Sequence, residues 1–139
     1  MKNLNKEDFK VEWHSVKNKI VSLAKHEKYN EALKELVKAE KTLSNTNYPD
    51  FFVLKGVLIQ LSDINDYNLA DVEKNYLKAL KLDPENINAL EELYHFYDAV
   101  MDDETKAKKY MKKLDDVIND KRMEFKRIKR QISSSKLAS

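Results

Sequence analysis

Only one glycine and two prolines occur in the 139 residues of this chain, and this scarcity limits the possible folds more than any other feature. The tight turns of a β-rich protein depend on glycine and proline, because most other residues cannot adopt the backbone angles that these turns require. Leucine, lysine, glutamate and alanine, which favour helices, are abundant instead. The sequence therefore predicts an all-α fold.

Apolar residues recur at spacings of three and four along six successive stretches, which is the period of an amphipathic helix. The predicted helices span residues 9–23, 30–44, 49–61, 69–82, 87–101 and 104–131. Asn30 is the expected N-cap of the second helix, and Pro49 is the expected first residue of the third. In the last stretch the apolar positions stay in phase through Ile132, so we expect one long C-terminal helix.

Residues 76–90, YLKALKLDPENINAL, resemble the tetratricopeptide repeat, a helix pair with large and small residues at fixed positions. The middle helix pair matches that pattern at Phe52, Gly56, Ile59, Val72, Tyr76, Ala79 and Pro84. Residues 28–40 are similar to a second helix of the same family, whereas Lys55 stands where the family has leucine. The resemblance implies six or seven helices arranged as three antiparallel helical hairpins, with Gly56 at a close contact between helices.

The resemblance also implies a binding groove, because stacked pairs of this family form a concave face lined by the first helix of each pair. The corresponding residues in this chain are Lys17, Val21, Val53, Val57, Gln60, Glu91, His95 and Asp98. Such a groove is apolar in the middle and acidic at its C-terminal end, which favours a peptide or a helix of a partner protein. The implied function is that of an adapter or chaperone.

The C-terminal segment differs from the rest of the chain in charge. Residues 120–139 carry seven basic and two acidic residues, and all three arginines lie there. The predicted basic patch comprises Lys121, Arg122, Lys126, Arg127, Lys129 and Arg130. One interpretation is that these cations favour the helix C-terminus while Phe125 and Ile128 cap the end of the helix stack. The other is a binding surface for phosphates or an acidic partner, which includes nucleic acid.

Residue types suited to catalysis or metal binding are scarce and scattered. The absence of cysteine excludes disulfides, thiolate zinc sites and cysteine nucleophiles. His14 and His26 lie roughly 18 Å apart if they share one helix. The Glu92-x-x-His95 spacing of a di-iron site occurs only once. We therefore predict no catalytic residue, no metal and no cofactor, although an inhibitor or immunity-type protein that blocks an enzyme would have the same sequence features.

Three segments are expected along the chain. Residues 1–119 form the helical repeat domain, residues 120–132 a basic helical extension, and residues 133–139 a frayed tail. No apolar run is long enough to span a membrane, and the N-terminal residues lack the apolar stretch of a signal peptide. The sequence thus predicts a cytoplasmic chain and leaves its oligomeric state open.

Overall fold

A computed structural model of the chain describes residues 12–43, 46–64 and 66–138, with side chains through residue 135. These residues form six α-helices: α1 (Trp13–Lys25), α2 (Tyr29–Glu40), α3 (Pro49–Leu61), α4 (Leu69–Leu82), α5 (Ile87–His95) and α6 (Glu104–Ala138). A π-helical turn, Phe96–Val100, continues α5. The described residues contain no strand, so the predicted all-α class with a long C-terminal helix is confirmed.

Local signals explain where several helices begin. Pro49 is the first residue of α3, as predicted, because proline needs no hydrogen bond for its nitrogen at that position. The Asn68 side chain accepts a hydrogen bond from the backbone N–H of Asp71, and the Asp71 carboxylate accepts one from the backbone N–H of Asn68. This capping box satisfies backbone donors that the first turn of α4 would otherwise leave unpaired.

Several predicted boundaries differ from the structure. Asn30 is not an N-cap, because α2 begins one residue earlier, at Tyr29. Its side chain instead accepts a hydrogen bond of 2.8 Å from the backbone N–H of Asp63, a contact that requires the third helix to be in place. The last helix continues to Ala138 rather than ending near Gln131. The start predicted for the first helix, Phe9, lies outside the described residues.

Neighbours in sequence pack as pairs, with α1 on α2, α3 on α4 and α5 on α6. The second helix of each pair also packs on the first helix of the next pair. In addition, α3 contacts α5 directly, and the rings of Trp13 on α1 and Phe51 on α3 meet edge to face at 5.2 Å. The first helices of the three pairs therefore lie side by side, and the predicted pairing in sequence order is confirmed.

The core runs through all six helices and ends part of the way along α6. Ala107, Tyr110 and Leu114 are the last buried residues among those whose side chains the structure describes, and Val117 packs partly against the same core. From Ile118 through Ser135 every side chain is exposed. We call residues 118–138 the arm and the remaining described residues the helical body. The arm extends the helix by about 30 Å beyond the core.

The exposed side chains of the arm overturn the capping interpretation of the C-terminal segment. Phe125 is 64% exposed and Ile128 is 42% exposed, so neither covers the end of the helix stack. A cap would bury them against the last helix pair. They lie instead on the part of α6 that has already left the body, because α5 is too short to accompany α6 along its whole length.

Candidate partner-binding surfaces

The first candidate surface is the face formed by the first helices of the three pairs. The predicted groove residues come from α1, α3 and the α5 region, which the structure brings side by side. Val53 and Val57 are only half-buried, but both pack against the core. Val57 therefore does not point freely into solvent. Val21 is also half-buried, whereas Glu91, His95 and Asp98 are exposed.

An internal ion pair uses one of the predicted groove cations. Lys17 Nζ donates a hydrogen bond of 2.6 Å to Asp50 Oδ2 and so joins α1 to α3. Burial alone would raise the pKa of Asp50, but the hydrogen bond and charge of Lys17 outweigh that effect and hold the pKa below its usual range. The indole N–H of Trp13 is buried and makes no hydrogen bond of ordinary geometry among the described residues. It is nevertheless a further cause of the lowered pKa of Asp50.

The other polar groove residues are fixed to different extents. The hydroxyl of Tyr76 donates a hydrogen bond to Gln60 Oε1, which holds this glutamine against α4. Burial, with the charge of Glu92 as a lesser cause, raises the pKa of Tyr76, so the hydroxyl stays protonated and remains a donor. His95 Nε2 lies 3.8 Å from Glu91 Oε1, and both side chains are more than half exposed. The acidic end of the face is thus open to solvent.

The second candidate surface is the arm. Ile118, Phe125, Ile128 and Ile132 recur at spacings of three and four, with Lys121 completing the series, and form one stripe along the helix. The stripe stays in phase with Leu114, which is buried in the body. We call this series from Leu114 to Ile132 the seam. Its first residue is covered by the helical body, while its continuation along the arm is uncovered.

Charge is distributed unevenly around the arm. With about 100° between successive residues of a helix, Arg122, Lys126 and Lys129 fall on one flank of the seam. Glu124 and Gln131 fall on the opposite flank. Arg127 and Arg130 lie on the side of the helix away from the seam, and Lys121 lies in it. Among the described residues, none of the six cations in the predicted basic patch has an ion-pair partner.

The body also contains a polar pair that sequence reasoning missed. Lys55, which stands where the resemblance expects leucine, donates to Glu40 Oε2 at 3.0 Å and lies 5.9 Å from the ring centroid of Tyr67. The charge is therefore compensated between α2 and α3. No local spacing signals this pair or the Lys17–Asp50 pair, because the partners are 15 and 33 residues apart on different helices.

Within the described part of the chain, no group of three histidine and acidic side chains is placed to hold a metal ion. The helices there are also too short or too polar for any of them to cross a membrane. Comparison of the chain with protein-family models, curated proteins and solved structures gives no match. The function of the chain is therefore inferred from the geometry of the two candidate surfaces.

Proposed function

We propose that this chain is a non-catalytic protein-binding module whose helical body presents the arm to a partner. The observation that carries this proposal is the uncovered seam. Single apolar residues on a surface are ordinary, but several exposed apolar residues aligned along one side of a helix are typical of an interaction site. Covering Phe125 and its three isoleucine neighbours would contribute on the order of 1 kcal/mol for each side chain.

The rigidity of the body supports this proposal. The Lys17–Asp50 pair joins α1 to α3, and the Lys55–Glu40 pair joins α2 to α3. Tyr76 of α4 contacts Gln60 of α3, and its ring centroid lies 6.4 Å from that of Phe96 in the π-helical turn. Helix α6 packs on α5 of this body, and this contact fixes the direction in which α6 leaves it. The arm is therefore presented from a preformed base, which lowers the entropy cost of binding.

The first-helix face is the second candidate surface, in keeping with an adapter or chaperone. It is favoured because Val21 of α1 and Val53 and Val57 of α3 remain partly exposed on this face, next to the acidic, open region around Glu91 and His95. The side-by-side first helices and the contact of Gly56 with Tyr76 also support kinship with the tetratricopeptide repeats as part of this proposal. On this second surface, the partner would be an extended segment or helix.

Site-specific photocrosslinking in the cell that expresses the chain tests the proposal. A photoreactive residue replaces Phe125 on the arm in one variant, His95 on the first-helix face in a second, and the exposed Lys34 of α2 in a control. We expect a discrete protein adduct at residue 125 and none at residue 34. An adduct at residue 95 alone would place the binding site on the first-helix face and would still agree with protein binding as the function.

Two results would contradict the proposed function. One is a nucleic-acid adduct at residue 125, which would assign the basic patch to phosphate binding. The other is the same set of adducts at all three positions, which would indicate random encounter. A large folded enzyme as the single crosslinked protein would identify the chain as an inhibitor or immunity-type protein.

A further inference from the structure

We infer that the occupant of the arm is an acidic amphipathic helix of a different protein, packed along the seam as a continuation of the α5–α6 contact. This inference rests on the proposed function, because it names the partner for the same arm. It follows from the width of the apolar stripe, from its continuity with a covered contact, and from the position of the positive charges.

The narrow stripe indicates a helix as the occupant. The seam residues 114, 118, 121, 125, 128 and 132 alternate spacings of four and three without interruption. This is the a and d pattern by which two helices pack along a single line, whereas a helix lying on a broad apolar surface needs a wider stripe. One partner helix covers such a seam along its whole length.

Continuity with the body supports the same occupant. Leu114 is buried where α5 packs on α6, and Ile118 begins the exposed part of the same seam one helical turn later. A partner helix on the arm would therefore occupy the side of α6 that α5 occupies within the body. The contact already present in the structure shows that this side of α6 accepts a helix.

The charges argue against a second copy of this chain as the occupant. In a parallel, in-register pair of arms, Lys121 of one copy would face Lys121 of the other across the seam. In an antiparallel pair the same flank of both helices meets, which brings Arg122 and Lys129 of the two copies together. Both arrangements place like charges at close range.

The same charges define the partner. An acidic residue is expected opposite Lys121, because a lysine within a seam is costly unless an opposite charge compensates it. Further acidic residues are expected on the edge of the partner that faces Arg122 and Lys129. The edge facing Glu124 and Gln131 would carry neutral or basic residues. Nucleic acid would satisfy the cations but would leave the isoleucines and Phe125 uncovered.

Designed peptides and the full chain test this inference. The probe is an acidic peptide of about 20 residues with leucine at the seam positions, glutamate opposite Lys121 and glutamate along the edge that faces Arg122 and Lys129. A matched peptide has lysine in place of each of those glutamates. By fluorescence anisotropy, we expect the acidic peptide to bind at least about tenfold more tightly than the basic one.

Variants of the arm separate the roles of the seam and its flank. Ile128→Asp should weaken binding of the acidic peptide by at least about tenfold, because it places a charge in the seam. Arg122→Glu combined with Lys129→Glu should weaken the acidic peptide and strengthen the basic one, a reversal that a purely structural role would not produce. Trp13, buried in the body and the only tryptophan, reports by fluorescence that each variant is folded.

The outcomes distinguish failure of this inference from failure of the proposed function. Equal binding of both peptides, or binding unaffected by Ile128→Asp, would overturn the inference, while a protein crosslink at residue 125 would leave the function standing. Dimerisation of the unmodified chain through the arm, seen by sedimentation, would make a second copy the occupant. Salt-sensitive binding of a single-stranded RNA or of phosphatidylserine vesicles, retained in Ile128→Asp, together with no protein crosslink, would overturn both.

Discussion

Gly56 of α3 lies directly against the ring of Tyr76 of α4. A Cβ atom added to Gly56 would lie 2.5 Å from Cε1 of Tyr76 and 2.9 Å from Cδ1. The ring has little room to retreat, because Tyr76 is fully buried and its hydroxyl is hydrogen-bonded to Gln60. The absence of a side chain at residue 56 therefore sets how closely the helices of the middle pair approach each other.

Gly56→Ala should destabilise the chain by about 1–3 kcal/mol through overpacking at Tyr76. Alanine favours a helix by up to about 1 kcal/mol relative to glycine, so a net loss would show that the contact outweighs helix propensity. Urea unfolding followed by Trp13 fluorescence measures the change, with Lys34→Ala on the exposed side of α2 as the control. An unchanged or raised midpoint for Gly56→Ala would contradict the close contact.

Asp50 should make stability depend on pH in acid. Lys17 holds the pKa of Asp50 below its usual value of 3.8, despite the opposing effect of burial. The folded state therefore binds this proton more weakly than the unfolded state, so the stabilisation is complete above about pH 4 and is lost as the pH falls through the folded pKa. Because both side chains are more than a third exposed, we expect the pair to contribute at most about 1 kcal/mol to the free energy of unfolding.

Comparison of the unmodified chain with Asp50→Asn at pH 7, 5 and 3 measures this contribution. We expect a constant difference in unfolding free energy between pH 7 and 5, and a smaller one at pH 3. Lys19→Met is the control, because it removes the more exposed surface pair in which Lys19 Nζ lies 3.4 Å from Glu35 Oε2. A difference for Asp50→Asn that is the same at all three pH values would rule out the pair as its cause.

Removal of the arm by ending the chain after Val117 should leave the helical body folded. Since none of the described arm side chains is buried, we expect the unfolding free energy to change by no more than about 0.5 kcal/mol. Leu114→Ala, just inside the body, should cost about 2–3 kcal/mol in the same urea experiment. A loss of several kcal/mol on truncation would restore the arm to a stabilising role.

Lys121→Leu should convert the seam into a site for self-association. The substitution removes the like charges that oppose pairing of two arms and makes the apolar series continuous. Sedimentation should show a concentration-dependent dimer for this variant, whereas Lys126→Leu, which adds the same side chain beside the seam, should sediment like the unmodified chain. Equal self-association of both variants would mean that added apolar area, rather than the seam, drives it.

The local features of this chain were predictable from the sequence. Helix periodicity, the proline that begins α3 and the residues that end α4 act over a few positions, so the bounds of both helices agree with the prediction. The close contact at Gly56 was also expected, because the resemblance of the middle helix pair to the tetratricopeptide repeat places a small residue there. The long C-terminal helix follows from apolar positions that stay in phase through Ile132, with Lys121 the one charged residue in the series.

The tertiary structure decided which of these features are covered. Lys17 and Lys55 contact their carboxylate partners, and Asn30 accepts a hydrogen bond from the backbone of Asp63, only when segments that are distant in sequence pack together. Phe125 and Ile128 have the same periodicity as the buried Leu114, yet they are exposed. A helical stripe shows that one side of the helix is apolar enough to be buried, but the length and path of a neighbouring helix determine whether it is buried. Here α5 does not extend along the arm, so the stripe there stays exposed.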